Sequence, residues 1–349
     1  MPPPTLTSFC AAFTFRYMVE KAEIRPFRVG VHGIGDHAVR TVLPAVAAAP
    51  AVELAGISTR NETTRTATMA EWSCPGWARL DAMLEAAELD AVLVCTPIGR
   101  HFEDGSKVLA AGIHLWSEKA FTRDEDEAAA LVGLADERDL AVCVSLAPAY
   151  HAQFRAIRRL LATGAIGRLR GIDAHFGFPH VARDRSLYDP ALAGGALRDL
   201  GYYPLTLAAE LTGETATVHG ARIAADAGYD VDTDGSVLLS FPSGVQVTAQ
   251  WGYGRDYINE MTIIGETGTI LAKPAFSKPG NLAVTLGIRR QNVVADVVVE
   301  PCNQFAEMLS AFAAATRSTA GRKALRAKAL DHQRLLAQVA AAADTPIQA

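Results

Sequence analysis

The chain has 349 residues, half of them hydrophobic and a fifth charged, enough to bury the cores of two domains and too apolar for disorder. A net charge of −5 without a lysine- or arginine-rich stripe excludes the electrostatic footprint of a nucleic-acid partner, and no apolar run approaches the length of a membrane span. The cysteines Cys10, Cys74, Cys95, Cys143 and Cys302 are dispersed, with no C-x-x-C pair. They read as reduced thiols of a cytoplasmic protein rather than a disulfide frame or a zinc site.

Residues 1–26 begin with prolines and carry one short apolar patch without a basic segment ahead of it, which speaks against a secretory signal. A loose tail, or a true start at Met18, is expected there. Phe27, Val29 and Val31 then alternate as a strand requires. Gly33, Gly35 and Ala38 follow at the G-x-G-x-x-G/A spacing, in which the first glycine permits the tight turn and the second lets backbone N–H groups approach a diphosphate. Residues 39–49 read as a crossover helix bent at Pro44, and 52–57 as a second strand. Where a dinucleotide site usually places an acid for the adenosine ribose, this chain has Ser58, Thr59 and Arg60, and no acid before Glu62. A carboxylate there would repel a 2′-phosphate and Arg60 can pair with it, so NADP(H) is expected over NAD(H). Residues 89–97 form a near-continuous apolar run typical of a buried parallel strand, 114–119 and 141–146 are shorter strands, and 124–138 reads as a helix with acids in its first turn.

Beyond Pro148 the pattern changes. Residues 150–163 make an amphipathic helix ended by Gly164, 168–178 a strand, 179–195 a loop, and a helical stretch runs on to about Gly213. Strand-like runs then succeed one another from 216 to 300, joined by turns such as PSG and GETG, and two alanine-rich helices, 303–316 and 322–342, close the chain. The expected fold is α/β: a Rossmann domain over 27–148 with a doubly wound parallel sheet, and an α+β domain over 149–349 with a large, open, mostly antiparallel sheet.

Two clusters carry candidate chemistry. Glu118 and Lys119 end a predicted strand on the edge where the cofactor should bind. Asp199 and Tyr203 lie four apart in GGALRDLGYYP, so on a helix both side chains share a face.

The order GIGDHA, CTP at 95–97, EKA at 118–120 and GGALRDLGYYP resembles the Gfo/Idh/MocA oxidoreductases, named for glucose-fructose oxidoreductase and inositol dehydrogenase, from about Arg28 to the final helices. The resemblance implies that Lys119 lies beside the nicotinamide and that Asp199 is the acid of the family's D-x-G-x-H pattern. Tyr203 stands where many members have histidine, which is similar to the glucose-fructose oxidoreductase and dihydrodiol or xylose dehydrogenase branch. Ala120 replaces the usual proline, Ile98 a common asparagine, and 147–149 lacks a common polar or basic residue.

The implied cofactor contacts are Gly33, Ile34, Gly35, Ser58, Thr59, Arg60, Cys95, Thr96, Pro97, His101, Glu118 and Lys119. The implied activity is hydride transfer between a nicotinamide and a carbinol carbon of a sugar, polyol or cyclic diol, with Tyr203 as acid/base, Lys119 lowering its pKa and Asp199 orienting the substrate hydroxyl. His180, Arg185 and Tyr188, in the loop before Gly194, are candidate substrate contacts, and no metal ligand set is evident. His32 and His37 read as incidental. A homodimer or homotetramer is implied. The competing readings are a reductase working in the opposite direction and a dinucleotide-binding regulator without turnover; members of the second kind tend to lose the lysine or the Asp/Tyr pair, and this chain keeps all three.

Overall fold

The computed structural model describes residues 25–291 and 293–343, so most of the expected N-terminal tail lies outside the described residues. Arg25 is held by Asp90 at 2.6 Å. Strands β1 (Phe27–His32), β2 (Val52–Ser58), β3 (Gly76–Trp77), β4 (Ala91–Val94), β5 (His114–Ser117) and β6 (Val142–Val144) form one sheet in the order β3-β2-β1-β4-β5-β6. Every pairing in it is parallel. The order reverses between β1 and β4, and such a switch point opens a crevice at the carboxyl ends of the strands. β4 is shorter than the apolar run that announces it, but all of its residues are buried, as a central parallel strand demands.

Helices α1 (Leu43–Ala48), α2 (Glu62–Trp72), α3 (Leu80–Ala86), α4 (Ile98–Ala110) and α5 (Glu125–Glu137) connect these strands. The bend expected at Pro44 is a π turn over Ala38–Val42, in which the Leu43 N–H reaches back to the Ala38 carbonyl. Proline has no N–H to continue an α-helical ladder, and widening the preceding turn relieves its ring from the carbonyl four residues back.

The second sheet is built from β7 (Leu169–Phe178), β8 (Thr217–Ala224), β9 (Asp234–Ser240), β10 (Gln246–Tyr253), β11 (Ile258–Gly265), β12 (Thr269–Lys273), β13 (Val284–Arg290) and β14 (Val293–Val299), in the order β14-β13-β12-β11-β7-β10-β9-β8. Only the β7 and β10 pair is parallel. β10 alternates exposed and buried residues until its last three, which are all buried where it meets the site. Helix α6 (Ala152–Ala162) lies between the two sheets in sequence, and α7 (Tyr202–Thr212) between β7 and β8. The closing helices α8 (Gln304–Ala315) and α9 (Thr319–Ala343), which the sequence places with the second domain, return to the first. Phe312 of α8 meets Phe27 and Trp116 edge-on at 5.9 and 5.8 Å, and α9 packs on α5 and β6 as well as on β8. Among the described residues no helix is long and apolar enough to cross a membrane.

Candidate active site

The glycine turn after β1 is shaped by its neighbour strand. Gly33 has φ of +88°, and a Cβ there would sit 2.7 Å from the Thr96 nitrogen and 2.9 Å from the Cys95 carbonyl carbon, so only glycine lets the turn press onto the end of β4. On the corresponding side of Gly35 nothing lies within 4 Å, which leaves its backbone open to the cleft. That pairing of one crowded and one open glycine fits a dinucleotide diphosphate. Beneath the turn, the His32 ring lies 2.7 Å from the Ser58 hydroxyl and 3.5 Å from the Asp104 carboxylate, to which Thr96 donates at 2.8 Å. Burial alone would raise Asp104, but His32 and Thr96 outweigh it and hold the carboxyl below its ordinary range. His32, read as incidental, thus ties β1, β2 and the end of β4 together.

Above this floor a cavity of about 1140 Å³ is lined by Gly33, Ile34, Gly35, Thr59, Arg60, Cys95, Thr96 and Pro97. A second cavity of about 660 Å³ adjoins it, sharing Cys95, Thr96, Pro97, His37 and Arg185, and is lined by Glu118, Lys119, Asp199 and Tyr203. Arg185 reaches from the loop before α7 to Asp36 at 3.1 Å and so spans the cleft between the domains. Four expected site residues line neither cavity. Ser58 is fully buried against His32. His101, from α4, is buried with its ring nitrogens 3.0 Å from the Ala120 carbonyl and 2.7 Å from that of Thr96, so it braces the loops that carry Lys119 and Thr96. His180 stacks on Tyr229 at 4.7 Å and pairs with Asp226, while the Tyr188 hydroxyl meets His180 and the Val181 N–H. These contacts occupy their polar atoms in holding the loop.

The acid and phenol of the second cluster are placed by Gly195 and Asp232. Gly195 has φ of +123°, and a Cβ on it would collide with the Asp232 carboxylate, which accepts from the Leu197 N–H at 2.6 Å. The chain then makes a π turn over Leu197–Gly201 before α7 begins. Asp199 sits in the turn and Tyr203 in the first turn of α7, and both face the smaller cavity. Lys119 Nζ donates to Asp199 Oδ1 at 2.5 Å and to the Asp199 carbonyl at 2.9 Å, and lies 5.1 Å from the Tyr203 ring centroid. The Tyr253 hydroxyl, from the end of β10, donates to Asp199 Oδ2 at 3.0 Å. Phe176 meets the Tyr203 ring edge-on at 5.7 Å and Phe276 lies tilted on it at 6.4 Å, fixing its plane.

The electrostatics follow from this packing. Burial would lower the Lys119 ammonium, but Asp199 and Tyr203 outweigh it and hold the lysine well above its usual value. Burial raises the Tyr203 phenol, and Lys119 offsets that only in part, so the hydroxyl keeps its proton above the ordinary tyrosine range. Glu118 lies 3.3 Å from the ring of His37 and is held low, against burial, by His37 and then Lys119. The sequence reading missed His37, Tyr253 and Arg79, which also lines the larger cavity; of these only His37, inside GIGDHA, carries a local signal.

Comparison with known proteins matches residues 27–146 to an oxidoreductase family with an NAD-binding Rossmann fold and residues 154–271 to the GFO/IDH/MocA C-terminal domain. The chain belongs to the Gfo/Idh/MocA oxidoreductase family. It is 34% identical over 296 residues, 84% of this chain and 86% of the relative, to a dTDP-3,4-didehydro-2,6-dideoxy-alpha-D-glucose 3-reductase of Streptomyces violaceoruber. It is 27% identical over 294 residues, 83% of this chain and 88% of the relative, to D-xylose 1-dehydrogenase (NADP(+)) 2 of Haloferax volcanii. Among solved structures it is similar to KijD10, a 3-ketoreductase from Actinomadura kijaniata in complex with NADP and TDP-benzene, at 30% identity and a TM-score of 0.86 over 91% of this chain and 98% of that one. This Gfo/Idh/MocA protein is therefore an NAD(P)-dependent oxidoreductase of the sugar-acting kind, with the two-domain architecture that its motifs imply.

Proposed function

We propose that the protein uses NADPH to reduce a keto group on a sugar carried by a nucleoside diphosphate, with Tyr203 as the proton donor. The observation that carries this reading is the setting of Tyr203, a phenol whose proton burial holds more firmly than usual and whose ring centroid lies 5.1 Å from the Lys119 ammonium, a cation that can stabilise its anion. That arrangement suits a general acid. Hydride is what the reduced nicotinamide supplies when bound. As the carbonyl carbon gains its C–H bond, the carbonyl oxygen takes the proton from Tyr203 Oη, and the tyrosinate left behind faces Lys119. Asp199, clasped by Lys119 and Tyr253, fixes the lysine and presents its remaining lone pairs to a substrate hydroxyl. Oxidation of an alcohol is the same path reversed, with tyrosinate as base.

Gly33, Ile34 and Gly35 would hold the diphosphate of the cofactor. Thr59 and Arg60 would hold the 2′-phosphate, since Arg60 is exposed on the cavity wall, meets no carboxylate among the described residues, and has Arg79 on the same wall. Val293, Val294 and Val298, 65 to 72% exposed on β14, support a homo-oligomer formed over the open sheet. The deciding experiment mixes purified protein with NADPH or NADH and either a dTDP-linked keto sugar or the free keto sugar, and follows loss of reduced nicotinamide. Consumption of NADPH, faster than of NADH, with the nucleotide-linked sugar is the expected result. No turnover with any keto sugar, or with aldoses and polyols in the oxidative direction, would overturn the reading.

A further inference from the structure

The smaller cavity has a second set of polar groups that the proton transfer does not use. Lys278, in the segment between β12 and β13, is only 8% exposed, lines the cavity, and has no carboxylate partner among the described residues. Its Nζ donates to the Ala275 carbonyl at 2.8 Å and lies 3.5 Å from that of Phe276. The N-terminus of α8 lines the same cavity through Asn303, Gln304 and Phe305. The Asn303 side chain accepts from the Ala306 N–H at 3.1 Å, which leaves the N–H groups of Gln304 and Phe305 without an acceptor inside the helix. Gln304 is 5% exposed, and its Oε1 is buried with no hydrogen-bond partner.

A buried cation without a counter-ion among the described residues, a helix N-terminus and an orphaned amide oxygen lining one cavity make an incomplete site. Burial pushes the Lys278 ammonium down to about 7, a cost that an anion beside it would remove. The wall is pre-organised: Asn259, 2% exposed, accepts from the N–H groups of Ala275 and Phe276 at 2.9 and 2.7 Å and donates to the Ser277 carbonyl at 2.8 Å. The same short segment places Phe276 against the Tyr203 ring, so a ligand held at Lys278 is registered with the proton donor. The only acid in the first turn of α8, Glu307, is paired with Arg155 at 3.2 Å and does not line the cavity.

We propose that Lys278 and the first turn of α8 form the subsite for the diphosphate of a nucleoside-diphosphate sugar, with Gln304 Oε1 accepting from an N–H or O–H of the nucleoside. This rests on the reading of the substrate as a nucleotide-linked sugar, and adds where its anionic part is held.

The test uses enzyme saturated with NADP, so that the cofactor's own phosphate sites are filled, and measures binding of dTDP, thymidine and inorganic pyrophosphate by calorimetry. Wild type should bind dTDP far more tightly than thymidine. Lys278→Met should weaken dTDP roughly 10- to 100-fold, the range of a lost charge-assisted contact, with NADPH affinity and melting temperature retained. Lys278→Arg should keep most of the affinity, and Gln304→Leu should weaken dTDP and thymidine while sparing pyrophosphate. Equal dTDP affinity in wild type and Lys278→Met, with turnover of the dTDP-sugar intact, overturns the subsite and leaves the proposed reaction standing. Failure of wild type to bind dTDP while it reduces a free keto sugar overturns both the subsite and the nucleotide-linked substrate.

Discussion

Lys119 is the residue on which the site turns, because two acceptors on Asp199 and one aromatic face compete for a single ammonium. Its bonds to Asp199 leave Tyr203 to feel it across the ring, so the expected depression of the phenol is not what the packing produces; burial wins and the phenol stays protonated. Tyr203→Phe removes only the hydroxyl and keeps the ring against Phe176 and Phe276. Its turnover should fall by about 10²- to 10⁴-fold with the NADPH dissociation constant unchanged, as steady-state rates and a fluorescence titration will report. Unchanged turnover would remove Tyr203 from the chemistry. The histidines show how residue type misleads when partners are unknown. His101 looked like a cofactor contact and is a buried brace, whereas His37 looked incidental and stands in the cleft beside Glu118.

Two elements set the geometry, and each depends on a glycine next to a helix that begins with a π turn. In the first, Gly33 lets the turn after β1 sit on the end of β4, and Pro44 accounts for the widened turn that follows. In the second, Gly195 leaves room for the Asp232 carboxylate that caps the segment carrying Asp199 and Tyr203. The four-residue spacing of that pair pointed to one helical face; the structure brings both to one cavity through a π turn leading into α7 instead. Gly195→Ala adds a methyl where the Asp232 carboxylate lies, at a φ that alanine rarely adopts. Turnover should fall at least about 10-fold, since small misplacements of positioned groups are costly, while NADPH binding at the other end of the cleft persists. Loss of cofactor affinity in step with turnover would count against this division of labour between the two glycines.

The molecule is stitched by its last helix, which touches both sheets. Glu210 of α7, with its side chain 9% exposed, meets Arg158 of α6 at 3.1 Å and Lys328 and His332 of α9 at 2.8 and 3.4 Å. Burial would raise its carboxyl, but His332 and Lys328 outweigh it and bring it from 4.5 to about 2. A depressed carboxylate contributes stability that is present above the unfolded value and lost as pH falls toward the folded one. Wild type should therefore exceed Glu210→Gln by on the order of 2–3 kcal/mol at pH 7, the gap closing as pH drops from about 4.5 toward 2, in chemical denaturation run at a series of pH values. A gap that is constant with pH would mean that the network is held by packing and not by charge.

Alternation of apolar runs, turn signals and the G-x-G spacing were enough to indicate two sheets and their parallel and antiparallel character, because periodicity and turn chemistry are local, while the chain order of CTP, EKA and GGALRDLGYYP carried the family resemblance. Lys119, Asp199 and Tyr203 became candidates as a set only through the resemblance to the Gfo/Idh/MocA oxidoreductases, because Lys119 and Asp199 stand 80 residues apart and no local pattern joins them. What tertiary structure alone decided was everything that needs partners distant in the chain: the return of α8 and α9 to the first sheet, the Tyr253 hydroxyl on Asp199, the burial of Ser58, His101 and Tyr188 away from the cleft, and a Lys278 with no carboxylate partner among the described residues in the cavity that Gln304 also lines. Burial and charge pairing depend on which residues the fold brings within a few ångströms, and one-dimensional spacing does not carry that information.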